Sequence, residues 1–284
     1  MRVVVTGGSG KLGVAVVQEL VDHSYDVVNV DRAPARDPKC PYTYADLTDY
    51  GQVIEVMSGI DSRYDHVDAV VHLAAIPGPG VATNAATFAN NITATYNVFH
   101  AARATGISNI VWASSETLLG LPFDSAPPPY IPVDEEYPAR PETSYALAKH
   151  LEEQMAAQLC RQDPRLKMIG LRFSNVMTPD DYAAFPSFND DPRLRSWNLW
   201  SYIDRRDGAQ AVRRALEHDA AGLDIFIIAN ADSVMTTPVT ELAAEVYPGV
   251  PVTREVGPHD TLLSIEKARR VLGYEPRFGW RNPR

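Results

Sequence analysis

The sequence contains only two cysteines, Cys40 and Cys160, among its 284 residues. Two cysteines are too few for a disulfide framework, and neither has Cys or His neighbours at the spacing of metal ligands. The seven histidines are scattered along the chain. His72 lies within an apolar run, where a packed or hydrogen-bonded ring is expected more often than a ligand. We therefore expect no metal site and two structural thiols.

The sequence also lacks any run of basic residues and any long apolar run. Its formal net charge is −10 at pH 7, which argues against binding to nucleic acid or to an anionic membrane surface. No apolar stretch approaches the roughly 18 residues that are needed to cross a bilayer. Met1–Gly7 leads directly into an apolar strand without the layout of a signal peptide. We expect a cytoplasmic protein that binds neither nucleic acid nor a membrane.

What the sequence does contain is a regular alternation of short apolar runs with helical patterns. Apolar strands separated by helices are typical of a parallel sheet that is covered on both faces, and right-handed crossovers then give a doubly wound α/β fold. The predicted strands are Arg2–Thr6, Asp26–Val30, Ala69–Leu73, Asn109–Ala113 and Lys167–Arg172. The predicted helices between them are Lys11–His23, Ala85–Thr105 and Ser144–Arg161.

The alternation becomes less regular after Arg172. Asp224–Ile228 predicts one more strand, and Ser264–Leu272 predicts a late helix that ends at Gly273. We therefore predict two parts, a dinucleotide-binding domain over residues 1–173 and a smaller substrate-binding lobe over residues 174–284. The lobe is expected to be partly interleaved with the first domain.

The first thirteen residues predict a dinucleotide site. Val3–Gly13 reads as a strand, a glycine-rich turn and the start of a helix. Glycines in such a turn let backbone N–H groups approach a pyrophosphate at the helix N-terminus, where the helix dipole favours negative charge. The expected contacts in this segment are Gly7, Gly10, Lys11, Leu12 and Gly13.

The end of the second strand bears on which dinucleotide is bound. Asp31 follows Gly13 by eighteen residues, which is about where an acidic side chain accepts a hydrogen bond from the ribose 2′-hydroxyl and repels a 2′-phosphate. This favours NAD over NADP. Arg32 stands beside it and is able to face a 2′-phosphate, and Asp31 is alternatively only a cap at the strand end.

Tyr145 and Lys149 lie four residues apart in a predicted helix. This spacing places the phenol and the ammonium on one face, where the positive charge favours the ionised phenolate. Lowering a tyrosine pKa from about 10 to about 7 requires roughly 4 kcal/mol, which a buried ammonium and a cationic nicotinamide together are able to supply. Such a phenol takes a proton from a substrate alcohol. The spacing alone is common on helix surfaces.

With the glycine turn, the acidic strand end and the Tyr145/Lys149 pair in this order, the chain resembles the extended short-chain dehydrogenase/reductases of the NAD-dependent epimerase/dehydratase family. Further segments that resemble this family are Asp46–Leu47, His72–Ala75, Asn91–Val98, Ala113–Gly120 and Leu171–Pro179. The resemblance implies a Rossmann-type sheet. It also implies that Asp46 and Leu47 border the adenine, and that Leu73, Ala74, Ala75 and Asn91 belong to the cofactor site.

The resemblance also assigns the catalytic groups. Ser115 matches the hydroxyl that holds the reacting oxygen near Tyr145, and Lys149 gains a second role as a hydrogen-bond donor to the nicotinamide ribose. Glu116 and Thr117 are candidate substrate contacts beside Ser115. Asn175 is expected either to contact the substrate or to bind only backbone. The helices Ala85–Thr105 and Ser144–Arg161 pair across a two-fold axis in many members of the family, which implies a homodimer.

The family includes several reactions, and local departures from its pattern distinguish them. Its dehydratases carry an Asp-Glu pair after the catalytic hydroxyl, whereas this chain has Glu116 and Thr117, so dehydration is disfavoured. Only about twenty residues separate Pro179 from Tyr202, where family epimerases insert a long segment around a nucleotide diphosphate. This short segment favours a free sugar or a sugar acid as the substrate.

The segment Arg193–Trp200 resembles the corresponding region of uronate dehydrogenases, which oxidise a sugar acid. Arg193 and Arg195 are therefore candidates to clasp a substrate carboxylate in bidentate geometry, or else they are surface residues. Trp197 and Trp200 are expected either to stack on a sugar or to pack in the core. We predict an NAD-dependent sugar oxidoreductase. The alternatives are a UDP-sugar 4-epimerase that retains NAD and a non-catalytic protein that senses a dinucleotide.

Overall fold

The computed structural model describes residues 1–60, 63–123 and 125–281, so the last three residues of the predicted lobe lie outside the described part. Its centre is a seven-stranded sheet in the order β3-β2-β1-β4-β5-β6-β9, and all neighbouring strands are parallel. The strands are β1 (Arg2–Thr6), β2 (Asp26–Asp31), β3 (Tyr42–Tyr44), β4 (Ala69–His72), β5 (Asn109–Ser115), β6 (Lys167–Phe173) and β9 (Gly222–Ile228). The predicted Rossmann-type parallel sheet is confirmed.

Seven α-helices in the described residues cover the sheet and extend into the lobe. They are α1 (Gly13–Asp22), α2 (Tyr50–Ser58), α3 (Asn84–Ala104), α4 (Ser144–Gln162), α5 (Arg205–Glu217), α6 (Val239–Val246) and α7 (Glu266–Leu272). Alternate residues of β1 explain the two layers, because Val3 and Val5 pack into one core cluster while Val4 packs into the other. A strand that is apolar on both faces requires helices on both faces.

Three of these helices, α2, α5 and α6, are absent from the sequence prediction. Helix α2 begins after Asp49, whose carboxylate accepts hydrogen bonds from the N–H groups of Gly51 and Gln52. Helices α2 and α6 are nine and eight residues long, which is too short for a strong periodic signal. Helix α5 contains Gly208 near its start, and a glycine inside a helix weakens the prediction.

The segment after Phe173 contributes both to the main sheet and to a second, two-stranded sheet. A two-stranded parallel pair joins β7 (Val176–Met177) to β8 (Ile203–Asp204), and two 3₁₀ segments, Pro179–Asn189 and Pro192–Asn198, lie between them. Strand β9 then returns to the main sheet beside β6. This arrangement fits a lobe that is interleaved with the sheet, while the division at residue 174 remains a prediction.

The order of the strands locates a crevice at the carboxyl edge of the sheet. The chain runs outward from β1 to β3 on one side and from β4 to β9 on the other. In open α/β sheets, ligands bind where this order reverses. No helix in the described ranges is long and apolar enough to span a membrane.

Candidate active site

A cavity of about 850 Å³ opens at the reversal point of the sheet. Most of the predicted site residues line it, and they come from both the dinucleotide segments and the catalytic segments. The predicted residues that line the cavity are Gly7, Gly10, Lys11, Leu12, Gly13, Asp31, Arg32, Leu47, Leu73, Ala74, Ala75, Ser115, Glu116, Thr117, Tyr145, Lys149 and Asn175. Four predicted residues, Asp46, Asn91, Arg193 and Arg195, are not among the lining residues.

The glycine-rich turn packs so closely that side chains are sterically excluded from it. A Cβ on Gly13 would lie 2.1 Å from the carbonyl oxygen of Gly7, and a Cβ on Gly7 would lie 2.6 Å from the backbone nitrogen of Ala74. Gly7 also has a φ of +73°, which an L side chain rarely adopts. The turn is thus a backbone cradle at the start of α1, which fits a dinucleotide pyrophosphate.

Asp31 and Arg32 line the dinucleotide part of the cavity beside the glycine turn. The Asp31 carboxylate accepts a hydrogen bond of 3.0 Å from the Ser9 N–H, so it also caps the glycine turn. The Arg32 guanidinium lies 2.7 Å from Asp46 Oδ1, and its hydrogen bond lowers the pKa of Asp46 to about 2. Because Asp46 already pairs with Arg32, this arginine is less available to a 2′-phosphate, which supports NAD.

Asn91 contributes to the cofactor groove without lining it. Its side chain accepts a hydrogen bond of 2.8 Å from the Ile76 N–H and donates one of 3.0 Å to the Ile76 carbonyl. These two bonds fix the loop that follows β4. Asn91 therefore holds Ala74 and Ala75 at the cavity wall.

The catalytic candidates meet where β5 ends against α4. The Ser115 hydroxyl lies 2.9 Å from the Thr117 hydroxyl and also hydrogen-bonds Tyr145. Lys149 donates a bond of 2.8 Å to the Ala113 carbonyl. Its ammonium nitrogen lies 6.0 Å from the centre of the Tyr145 ring. The structure thus brings Ser115, Tyr145 and Lys149 together.

In the protein without nicotinamide, the pKa of Tyr145 is raised, whereas the lowered pKa in the sequence prediction included a cationic nicotinamide. Burial raises it, while Lys149 and the hydrogen bond from Ser115 act to lower it, and the carboxylates of Glu152 and Glu116 act to raise it further. Burial outweighs the ammonium because it removes water from around the phenolate. The protein groups alone therefore do not lower this pKa, and a cationic nicotinamide beside the phenol would act in the lowering direction.

The substrate end of the cavity contains a buried carboxyl group. Glu116 is 2% exposed, and its Oε1 accepts a hydrogen bond of 3.2 Å from Asn198. Burial raises the pKa of Glu116 to about 7, although Ser174, Asn198 and Arg195 act to lower it. This end of the site therefore contains a group that changes its charge near neutral pH.

The two predicted arginines have different surroundings. Arg195 is buried and donates hydrogen bonds of 3.0 Å to Asn175 Oδ1 and 2.9 Å to the Ser201 carbonyl. It therefore orients Asn175, which does line the cavity. The guanidinium carbon also lies 5.0 Å from the ring centre of Trp197, another lining residue. Arg193 is exposed and away from the cavity. The structure thus does not bring Arg193 to the site where a carboxylate clasp was predicted.

Three residues that the sequence prediction did not include also belong to this centre. Ser174 lines the cavity, Asn198 binds Glu116, and Glu152 lies 2.9 Å from the ammonium of Lys149. The position of Glu152 three residues after Lys149 is a sequence signal, because such residues are neighbours on a helix. Across the described residues, no group of three or more His, Cys, Asp or Glu side chains is placed to hold a metal ion.

Comparisons with known proteins agree with this geometry. A model of the NAD dependent epimerase/dehydratase family matches residues 3–229. A UDP-glucose 4-epimerase of Lactobacillus helveticus is 26% identical, and the alignment covers 98% of this chain and 92% of that protein. A crystal structure of a UDP-galactose 4-epimerase is 30% identical with a TM-score of 0.71, covering 98% of this chain and 94% of that chain. A mutated uronate dehydrogenase has a TM-score of 0.68 at 20% identity, covers 99% of this chain and 82% of that one, and shows likeness of fold.

Proposed function

Because the chain belongs to the NAD-dependent epimerase/dehydratase family, and is therefore an NAD-dependent enzyme of the short-chain dehydrogenase/reductase type, we propose that it is a sugar oxidoreductase. Its substrate is the carbinol of a free sugar or a sugar acid. NAD held by the glycine turn of Gly7, Gly10 and Gly13 would supply the hydride acceptor for the carbinol carbon. Residues of the segment 174–284 are proposed to form the substrate side of the site.

Three side chains of the cavity perform the proton chemistry in this proposal. Tyr145, as phenolate, removes the carbinol proton, and Ser115 donates a hydrogen bond that holds the reacting oxygen beside it. An ammonium has three N–H donors. Lys149 gives two of them to Ala113 and Glu152, and the third is available to the nicotinamide ribose.

The lobe contributes few residues to the cavity, and this observation supports a small substrate. Beyond Val176, Trp197 is the single lining residue in the described part of the chain. The cationic side chains that line the described cavity are Lys11, Arg32 and Lys149, which belong to the dinucleotide and catalytic segments. A nucleotide sugar would bring its own diphosphate to the lobe side, where the lining offers no cationic side chain among the described residues.

A UDP-sugar 4-epimerase is the second candidate, and the names of the relatives favour it. The Lactobacillus helveticus protein is a UDP-glucose 4-epimerase. In such a reaction the hydride returns to the opposite face of a keto intermediate, so the same Ser115, Tyr145 and Lys149 serve both reactions. Product formation therefore has to distinguish the two. A non-catalytic dinucleotide sensor is disfavoured, since it has no need of all three catalytic groups.

The test is a screen of free aldoses, uronates and UDP-sugars with NAD and NADP, followed by the absorbance of the reduced cofactor. Net NADH from a free sugar or a sugar acid supports the proposal. Epimerised UDP-sugar without net NADH identifies the second candidate. No turnover of any of these substrates contradicts both.

Tyr145→Phe is expected to lower kcat by roughly 10³-fold, because removal of a positioned acid-base group typically has an effect of this size. The affinity for NAD should change little, since the phenyl ring remains. Tyr96→Phe serves as the control, because Tyr96 is exposed on α3. Full turnover by Tyr145→Phe would rule out the assigned base.

The homodimer expected from the family remains a prediction.

A further inference from the structure

The catalytic lysine has a buried anionic partner on its own helix. Glu152 Oε2 accepts a hydrogen bond of 2.9 Å from the Lys149 ammonium, and the side chains of the two residues are 0% and 3% exposed. A second donor of the ammonium is held by the Ala113 carbonyl. An ammonium has three donors, so these two contacts leave one that can reach into the cavity.

Polar groups from two helices surround the Glu152 carboxylate. On α4, Lys149 and Glu153 face it, and Tyr145 lies within its electrostatic influence. On α3, Thr95 acts to lower the pKa of Glu152, and its hydroxyl lies 3.0 Å from His72 Nε2. Burial lowers the pKa of His72 to about 3, so this ring is neutral and adds no charge. Lys149 is therefore the cation in direct contact with Glu152.

We propose that Glu152 is a positioning residue that aims the free donor of Lys149 at the cofactor ribose and offsets part of the positive charge that Lys149 presents to Tyr145. The inference rests on the proposed function, because it takes Tyr145 as the base of the reaction. Glu152 thereby sets the pH range in which the enzyme oxidises its substrate. It acts through Lys149 and does not touch the reacting atoms.

The direction of the effect follows from charge. In the wild type, the buried pair Lys149/Glu152 has no net charge, so its electrostatic support for a phenolate is weak. Glu152→Gln keeps the shape and an acceptor oxygen but leaves the ammonium uncompensated. The phenolate is then easier to form, and the acid limb of the oxidation profile moves to lower pH. The pH profile of the reverse reaction, the reduction, should shift by the same amount, because Tyr145 is the titrating group in both reactions.

Glu153 provides a matched control. It is the next residue on α4 and is also buried, but its carboxylate forms a bidentate pair with Arg172 at 3.0 and 2.8 Å. It further accepts a hydrogen bond of 2.6 Å from the Ser114 hydroxyl. Glu153→Gln removes a buried charge at nearly the same place in the sequence without taking the partner of Lys149. We therefore expect it to lower thermal stability and to move the pH limb much less than Glu152→Gln does, because Glu153 raises the pKa of Lys149 less than Glu152 does.

The experiment measures kcat/KM for oxidation against pH, with NAD and the free sugar or sugar acid that the wild type turns over best. At a pH on the rising limb, we compare kcat/KM of each protein as a fraction of its own plateau value. This fraction should be about 3- to 10-fold higher in Glu152→Gln than in the wild type, the size expected for one nearby charge in a protein interior. Its affinity for NAD should fall. Profiles of wild type and Glu152→Gln that coincide, with both proteins folded, would overturn the inference.

A second measurement needs no substrate and so separates this inference from the proposed function. The tyrosinate absorbance is titrated in the NAD complex, and the signal of Tyr145→Phe is subtracted so that Tyr145 remains. The same subtraction is made in the protein that carries Glu152→Gln, where Tyr145 should ionise at a lower pH than in the wild type. An ionisation of Tyr145 at the same pH in both proteins counts against the inference. If Glu152→Gln does not fold, Glu152→Asp replaces it, since the shorter carboxylate lies farther from Lys149 and should move the titration in the same direction by less.

Discussion

The two ends of the cavity are built in different ways. The dinucleotide end is made mainly of backbone from consecutive segments at the carboxyl edges of β1, β2 and β4, with Gly7, Asp31 and Ala74 in the lining. The substrate end depends on side chains from distant parts of the chain, such as Glu116 and Asn198, which bind each other across 82 residues. A backbone cradle tolerates little change in shape, whereas a side-chain pocket can change its chemistry one residue at a time.

The substrate end also contains buried charged groups and strained backbone, both of which cost folding free energy. At the substrate end, Glu116 is a buried carboxyl group and Arg195 is a buried guanidinium. The neighbouring residues Leu199 and Trp200 have φ angles of 54° and 55°, and a non-glycine residue in this region costs about 1–3 kcal/mol. The surrounding lobe holds this conformation, in part through the bond of 2.8 Å from Trp200 Nε1 to the Pro192 carbonyl. The substrate end is thus maintained at an energetic cost that the rest of the fold offsets.

The largest effect is expected from a change at the dinucleotide end. Gly13→Ala places a Cβ 2.1 Å from the Gly7 carbonyl oxygen, so the turn has to move. We expect the affinity for NAD to fall by roughly 1,000-fold or more, because a Cβ this close to a backbone oxygen exceeds the overpacking that typically costs about 1–3 kcal/mol. Titration of NAD by calorimetry measures this. Unchanged affinity would mean that the backbone cradle is not the dinucleotide site.

A smaller effect is expected from Glu116→Gln, and it depends on pH. The folded-state pKa of Glu116 is about 7, raised above its usual value of 4.5. Its neutral form therefore stabilises the fold below about pH 4.5, and this stabilisation is lost as pH rises through about 7. The stability of the variant relative to that of the wild type should therefore rise by up to about 3 kcal/mol over that range.

Urea unfolding of both proteins at a series of pH values measures this difference. Burial also raises the pKa of Asp207 to about 7, but Asp207 is present in both proteins, so its contribution cancels. A difference in stability that is constant with pH would show that Glu116 is not buried as a titrating group. The energetic contrast between the two ends would then be weaker.

The smallest effect is expected from Trp197→Ala, which removes the one lobe residue beyond Val176 that lines the described cavity. We expect the KM for the sugar or sugar acid to rise about 10-fold through loss of apolar contact area, while the affinity for NAD stays unchanged. A parallel loss of NAD affinity would show that Trp197 belongs to the dinucleotide end. Steady-state kinetics and calorimetry together distinguish the two results.

The same contrast explains which parts of the site could be predicted from the sequence. At the dinucleotide end, the site residues follow strand ends in a fixed order, so Gly7, Gly13 and Asp31 were predictable from spacing. At the substrate end, the contact of Asn198 with Glu116 depends on how the 3₁₀ segments fold. No periodic pattern in the sequence predicts that contact. The raised pKa of Tyr145 in the protein without nicotinamide was not predictable for a related reason, because the spacing from Lys149 is visible in the sequence but the degree of burial is not.

The pairing of Arg32 with Asp46 has a consequence for redesign of the cofactor preference. A 2′-phosphate needs an available cation and the absence of a competing carboxylate. Replacement of Asp31 alone would remove the repulsion yet leave the Arg32 guanidinium bound to Asp46 at 2.7 Å. A conversion to NADP therefore requires changes at both aspartates, and either change alone is expected to weaken NAD binding before it gains anything for NADP.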